Sequence, residues 1–166
     1  MTPKTWKILG VAVAVVVALT GLTVAVGLYQ LQSFMSAIRE SHIAGNMPSP
    51  EEFDGVLRRH LVRYFWAWPN EGKTLEYVLL RDGPTQSGIG YPKFYVWVRV
   101  RSQGAIEQEG AARLAAESGG FSVTHFVPRN AIVADPQGIY QLFPEPVCDR
   151  IFAEINRDSP TLIGVH

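Results

Sequence analysis

From Ile8 to Tyr29 the chain carries no charged side chain, and within that stretch Val11-Ala12-Val13-Ala14-Val15-Val16-Val17-Ala18-Leu19 is apolar on every face of a helix rather than along one stripe. A helix needs roughly 20 such residues to cross the hydrocarbon layer, and these 22 are enough. A spanning helix satisfies its own backbone hydrogen bonds, so the β preference of the valines need not prevail in lipid. Trp6 and Tyr29 suit the two interfaces, where amphipathic rings settle. Lys4 and Lys7 flank one side and Arg39 alone follows within about 20 residues on the other, so the positive-inside bias places the N-terminus in the cytoplasm and the remainder outside. The localisation expected is therefore a single-pass inner or plasma membrane, with a head that is periplasmic in a Gram-negative cell. A cleaved signal ending at Ala25-Val26-Gly27 is the rival, but its apolar core runs only about 7 to 15 residues. Ala14 and Ala18, then Gly21 and Ala25, form small-xxx-small pairs that suit close packing of two such helices.

This segment also explains the charge balance. The 166 residues hold 15 basic and 15 acidic side chains, yet residues 1–38 contain two lysines and no acid, which leaves 13 basic against 15 acidic side chains in the rest. A mildly acidic head, together with export, excludes nucleic acid as the expected partner. The organisation read from the sequence is a cytoplasmic tail over 1–7, a membrane helix over 8–29, a stalk and linker over 30–48, an extracytoplasmic domain over 49–158 and a loose tail over 159–166. The stalk continues the helix, with Leu31, Phe34, Met35 and Ile38 on one stripe, until Gly45, Asn46 and Pro48 break it.

Ser49-Pro50-Glu51-Glu52 has the form of a capping box, and Phe53, Val56, Leu57, His60, Leu61, Tyr64 and Phe65 follow at spacings of three and four, so an amphipathic helix is expected there. Thr74–Arg81 reads as a strand closed by Asp82-Gly83-Pro84. Lys93–Arg101 alternates, with Phe94, Val96, Val98 and Val100 on one face and Tyr95, Trp97, Arg99 and Arg101 on the other. Residues 107–117 admit helix, from their alanines, or a hairpin strand between Gly110 and Ser118-Gly119-Gly120; the strand is favoured. Phe121–Val127 alternates again, with Phe121, Val123 and His125 on one face. Asp135-Pro136 begins a short helix, and Val147, Cys148, Ile151, Phe152 and Ile155 share the face of a longer one. The fold class is α+β: one helix on a three- or four-stranded antiparallel meander, with one or two closing helices. In outline this resembles the cystatin-like and NTF2-like domains, an outline that carries no function of its own.

Catalytic signals are sparse. Cys148 is the single cysteine and, with His125, makes a thiol hydrolase the less favoured alternative; its place on an apolar helix face suits a small buried hydrophobe better. The histidines at 42, 60, 125 and 166 lack ligand spacing, so neither a metal nor a cofactor is expected. Glu107 and Glu109 read as a solvated rim before they read as an acid pair. Gly72-Lys73-Thr74 lacks the earlier glycine of a phosphate loop, and Ser87-Gly88-Ile89-Gly90 lacks the third glycine of a dinucleotide fingerprint.

The surface that invites a partner is Tyr95, Trp97, Arg99 and Arg101, residue types enriched in binding hot spots, unless a second layer covers it. Trp66 and Trp68 cannot both follow the helix stripe, so one of them is expected in a cleft or against a partner. The function expected is a membrane-anchored binding or scaffold subunit of an envelope assembly that acts through protein contacts or self-association. A small-ligand sensor with a pocket between helix and sheet is the alternative.

Overall fold

The structure, a computed structural model, describes residues 3–66, 72–86 and 90–157, with backbone alone for 3–16, 18 and 19. The chain divides into two compact units, Met1–Ser41 and His42–His166.

The first unit belongs to one helix, α1 (Pro3–Asn46). Every side chain from Thr20 to Met35 is exposed. Thr20, Thr23 and Ser33 return their hydroxyls to the carbonyls of Val17, Thr20 and Gln30, at 3.0, 2.9 and 2.9 Å, as such residues do within helices. Among the described residues no helix is long and apolar enough to cross a membrane. The span expected over 8–29 lies partly outside them, because the side chains of 8–16, 18 and 19 are not described. The tail expected over 159–166 lies outside them altogether.

The second unit is α+β. After α2 (Phe53–Phe65) come β1 (Lys73–Leu79), β2 (Lys93–Ser102), β3 (Ala105–Glu117) and β4 (Gly120–Pro128), an antiparallel meander in the order β1-β2-β3-β4. The alanine-rich stretch is therefore a strand, held by partners on both sides that outweigh the helix preference of its residues. Its hairpins turn on Gln103-Gly104 (φ 52° and 85°) and Ser118-Gly119 (φ 51° and 75°), the two successive positive φ values whose twist matches that of the flanking strands. The chain closes with α3 (Arg129–Ala134), a 3-10 turn at Gly138–Gln141 and α4 (Glu145–Arg157).

Both faces of the sheet are covered. On one, Leu57 and Leu61 of α2 pack against Phe94, Val96, Val98, Val100, Ala112, Leu114 and Phe121. On the other, Val147, Cys148, Ile151 and Ile155 of α4, with Ile132 and Phe143, pack against Tyr95, Trp97 and Ala111. α2 is also tied to edge strand β1. Arg58 donates to the Leu75 carbonyl at 2.8 Å, and the Tyr77 hydroxyl donates to the Asp54 carboxylate; burial, then that acceptor, push the Tyr77 hydroxyl above the usual phenol range.

Three local expectations are corrected. Ser49 does bond Glu52, Oγ to Oε2 at 2.8 Å, but the pair closes a turn ahead of the helix, whose N-cap is Glu52. Asp135 accepts from the Gly138 amide at 3.1 Å, and only a 3-10 turn follows. In β4, a bulge opposite Arg113/Leu114 leaves Thr124 unpaired, since Arg113 faces His125 and Leu114 faces Val123. One extra residue moves all later side chains to the opposite face. Phe126 therefore joins Val123 on the α2 side, while Val127 belongs to the α4 side. The Thr124 hydroxyl pins the bulge by donating to the Arg113 carbonyl at 3.0 Å and accepting from Arg113 Nε at 3.2 Å.

Candidate functional site

The strand face of Tyr95, Trp97, Arg99 and Arg101 is not a free surface, because α4 and the segments before it lie over it. Trp97 is 0% and Tyr95 4% exposed, and the Tyr95 hydroxyl meets Thr85 Oγ1 at 2.7 Å. Two facing apolar layers gain more by closing on each other than by leaving an indole in water. Arg101 stays at the margin, 3.6 Å from Glu76.

Arg99 is the centre of a buried ionic cluster. Register places it directly across from Glu109, whose Oε1 accepts from Arg99 Nε at 2.7 Å and from the Trp97 indole N–H at 3.0 Å. Arg99 also donates to Glu154 of α4 at 3.3 Å. Arg129 of α3 lies 3.6 Å from the other Glu109 oxygen, and Arg157 reaches Glu154 at 2.9 Å. The Glu109 and Glu154 side chains are 8% and 6% exposed. Such charges are tolerable in a core only when paired and hydrogen-bonded. Here both carboxylates are taken up by guanidinium and indole donors, and the cluster orients α3 and α4 on the sheet. The pair read as a rim is thus split: Glu107 faces Lys73 at 2.8 Å near the surface, while Glu109 is internal.

A groove opens beside this cluster. β4 leaves β3 at the Gly110–Pro128 pair, while β3 stays paired to β2 back to Ala105. The β3 segment 105–109 therefore has no strand partner on its β4 side among the described residues. Ile106, Glu109, Phe126, Pro128, Arg129 and Val133 help to line a cavity of about 710 Å³ there. By contrast, the contact between α2 and the sheet, where a sensor pocket was expected, is filled by Leu57, Leu61 and Phe94.

The thiol pair is not assembled for attack. Cys148 is fully buried, its Sγ bonds the Phe143 carbonyl at 3.5 Å, and burial, with the charges of Asp149 and Glu145, pushes its thiol above the ordinary range. Reactive cysteines show the opposite shift. The His125 ring takes Arg113 as its partner at 2.6 Å. Trp66 is partly buried against the α2-side core, with its indole N–H unpartnered among the described residues. Trp68 lies outside them. Among the described residues no three His, Cys, Asp or Glu side chains come together as a metal site.

Local pattern marks Glu109 only as half of a rim and leaves Glu154 and Arg129 unmarked. One signal was present: Glu154 falls on the stripe of Val147, Ile151 and Ile155, and a charge in an apolar stripe demands a countercharge on the surface it meets. Comparison with protein-family models, with curated proteins and with solved structures finds no match to this chain.

Proposed function

We propose that this chain is a single-pass membrane protein whose residues 8–29 cross the bilayer with the N-terminus cytoplasmic, and whose α+β head is an extracytoplasmic binding or scaffold subunit of an envelope assembly, acting through protein contacts. The observation that carries this reading is one unbroken helix with no charged residue between Lys7 and Arg39 and with its described side chains exposed from Thr20 to Met35. A helix that is apolar all round needs a non-aqueous surrounding, and at about 1.5 Å per residue the 22 residues from Ile8 to Tyr29 match a core roughly 30 Å thick. The hydroxyls of Thr20 and Thr23 are satisfied inside the helix, as lipid requires. In the head, the candidate thiol is buried and raised, and the acidic pair holds Lys73 and Arg99. These side chains serve the fold.

Protease added to intact cells, with the outer membrane opened where there is one, should digest the head and leave a protected fragment containing residues 1–29. Digestion only after the cytoplasm is opened would overturn the orientation, and release of the chain by alkaline carbonate would overturn the anchor. Photo-crosslinking residues placed at the exposed positions Tyr64, Val78 and Tyr140 should give a discrete adduct from at least one site in living cells. Adducts at none of the three would refute the binding role.

A further inference from the structure

The outer edge of the sheet, at β1, is complementary to itself. We propose that two copies of the head pair antiparallel about a two-fold axis at Val78, so that Tyr77–Leu79 of each copy extends the sheet of the other and Glu76 of each reaches a pocket of the other that carries Arg150 and Arg81. This deepens the contact role proposed above, on which it rests, by naming the partner.

β1 is an end strand and pairs with β2 from Lys73 to Leu79 without a register shift. Leu80 donates its amide to the Tyr95 carbonyl at 2.9 Å. By the alternation of an antiparallel ladder, Glu76 and Val78 then also turn their backbone groups to β2, whereas Leu75, Tyr77 and Leu79 turn theirs outward. Leu75 fits that phase, since its carbonyl accepts from Arg58 of α2 at 2.8 Å. Arg58 thereby closes the edge at its N-terminal end. At the other end the chain leaves the ladder after Leu80 and rejoins it at the Thr85–Lys93 bridge. Between these limits the outward amides and carbonyls of Tyr77 and Leu79 have no partner among the described residues. Val78 and Leu79 are 39% and 37% exposed. Tyr77-Val78-Leu79 also lacks the charges and prolines that commonly blunt an edge strand.

An edge of this kind accepts strands in general, and two features select a second copy. The first is register. Pairing about Val78 sets Tyr77 against Leu79 of the second copy, and Leu79 against its Tyr77, which joins every backbone group left open and leaves the capped Leu75 carbonyl out. Val78 then meets Val78, and no like charges oppose each other. Pairing about Tyr77 would require the Leu75 carbonyl that Arg58 already occupies.

The second feature is charge. Side chains at 76, 78 and 80 share one face of the strand, and Leu80 places that face on the α4 side. The Val78 register puts Glu76 of the second copy directly across from Leu80. There Leu80, Arg81, Val147 and Arg150 line a cavity of about 320 Å³, with Asp82 also in the lining. Neither arginine has an ion pair among the described residues. Glu76 is free to turn to them, because its side chain is 60% exposed and held by a single 3.6 Å contact with Arg101. The two-fold axis repeats the contact, so each copy gives one glutamate and receives one.

The test uses the full-length chain in detergent with Cys148 replaced by Ala. Across such an axis the two Val78 Cα atoms stand about 4.5 Å apart, within disulfide range. Val78→Cys should therefore close an intermolecular disulfide under mild oxidation at least tenfold faster than Tyr140→Cys, a position of similar exposure on the 3-10 turn. In the Val78→Cys chain, Glu76→Arg and Arg150→Glu should each slow that coupling at least fivefold, and the two together should restore it, which a structural effect of either change would not do. Coupling at position 78 no faster than at position 140 overturns the proposal, and so does a double variant slower than both single ones. Photo-crosslinking from position 78 in cells should give an adduct at twice the mass of the chain. An adduct with a different protein in its place overturns the second copy as occupant and leaves the binding role standing, whereas adducts at none of the exposed sites overturn both.

Discussion

Replacing Glu109 by Gln keeps the side-chain shape and one oxygen acceptor but removes a charge from a site where that carboxylate meets Arg99 Nε at 2.7 Å, the Trp97 indole at 3.0 Å and Arg129 at 3.6 Å. Removing one partner of a buried pair costs about 3–5 kcal/mol, chiefly because the remaining charge is stranded. Arg99 retains Glu154 at 3.3 Å, and the Arg129 side chain is 35% exposed, so water relieves part of the penalty and the lower end, about 3 kcal/mol, applies. For a head of this size each kcal/mol moves the melting temperature by roughly 3–5 °C, which gives a fall of about 10–15 °C in a thermal melt of the full-length protein in detergent. Glu107→Gln is the matched control. It lies two residues away on the same strand, paired to Lys73 in a partly exposed bridge, and pairs of that kind contribute about 0.2–1 kcal/mol. Arg99→Leu combined with Glu109→Leu should cost less than the sum of the two single changes, by about 1 kcal/mol or more, since the residues share one network. A Glu109→Gln shift below about 3 °C, or equal to that of Glu107→Gln, would refute the claim that the cluster holds the second layer on the sheet.

The remaining expectations use the same folded protein. Cys148 should alkylate at least 100-fold more slowly at pH 8 in the native chain than in denaturant, as peptide mapping after iodoacetamide would read; equal rates would place the thiol outside the core. Because its folded pKa is raised, the thiol's contribution to stability is complete below the unfolded value of about 8.5 and declines as pH rises from there toward the folded value. Wild type should therefore lose stability relative to Cys148→Ala in that window, by up to about 1.4 kcal/mol per pH unit. Gly110→Ala should destabilise by about 1–3 kcal/mol in a denaturant titration, because its Cβ would meet the Val127 carbonyl oxygen and Pro128 Cα, both backbone atoms that cannot swing aside. Trp97→Ala should cost about 3–5 kcal/mol and lower the denaturation midpoint, whereas a surface-exposed tryptophan would leave the midpoint nearly unchanged.

The elements were legible because each rests on local periodicity. The alternation of Lys93–Arg101, the three-and-four spacing after Phe53 and the shared face of Val147, Cys148, Ile151 and Ile155 are properties of neighbouring residues, and each meets a core where its pattern requires one. What failed was reasoning across elements. His125 and Phe126 changed faces because one bulge shifted a register, and a bulge has no dependable signature in a single strand. Tyr95 and Trp97 could be assigned to a face, but whether that face met water or α4 depended on where the chain after Pro128 returned.

The sequence by itself determined the uncharged apolar run from Ile8 to Tyr29, the amphipathic helices and the central strand, since short-range chemistry specifies these whatever they pack against. Tertiary structure alone decided that Arg99, Glu109 and Glu154 form one buried cluster, that Cys148 is sealed and that β4 parts from β3 at the Gly110–Pro128 pair. Glu109 lies 10 residues from Arg99, and Glu154 lies 55 from it. Only strand register and the docking of α4 bring them within hydrogen-bonding distance, and neither is encoded in a local pattern.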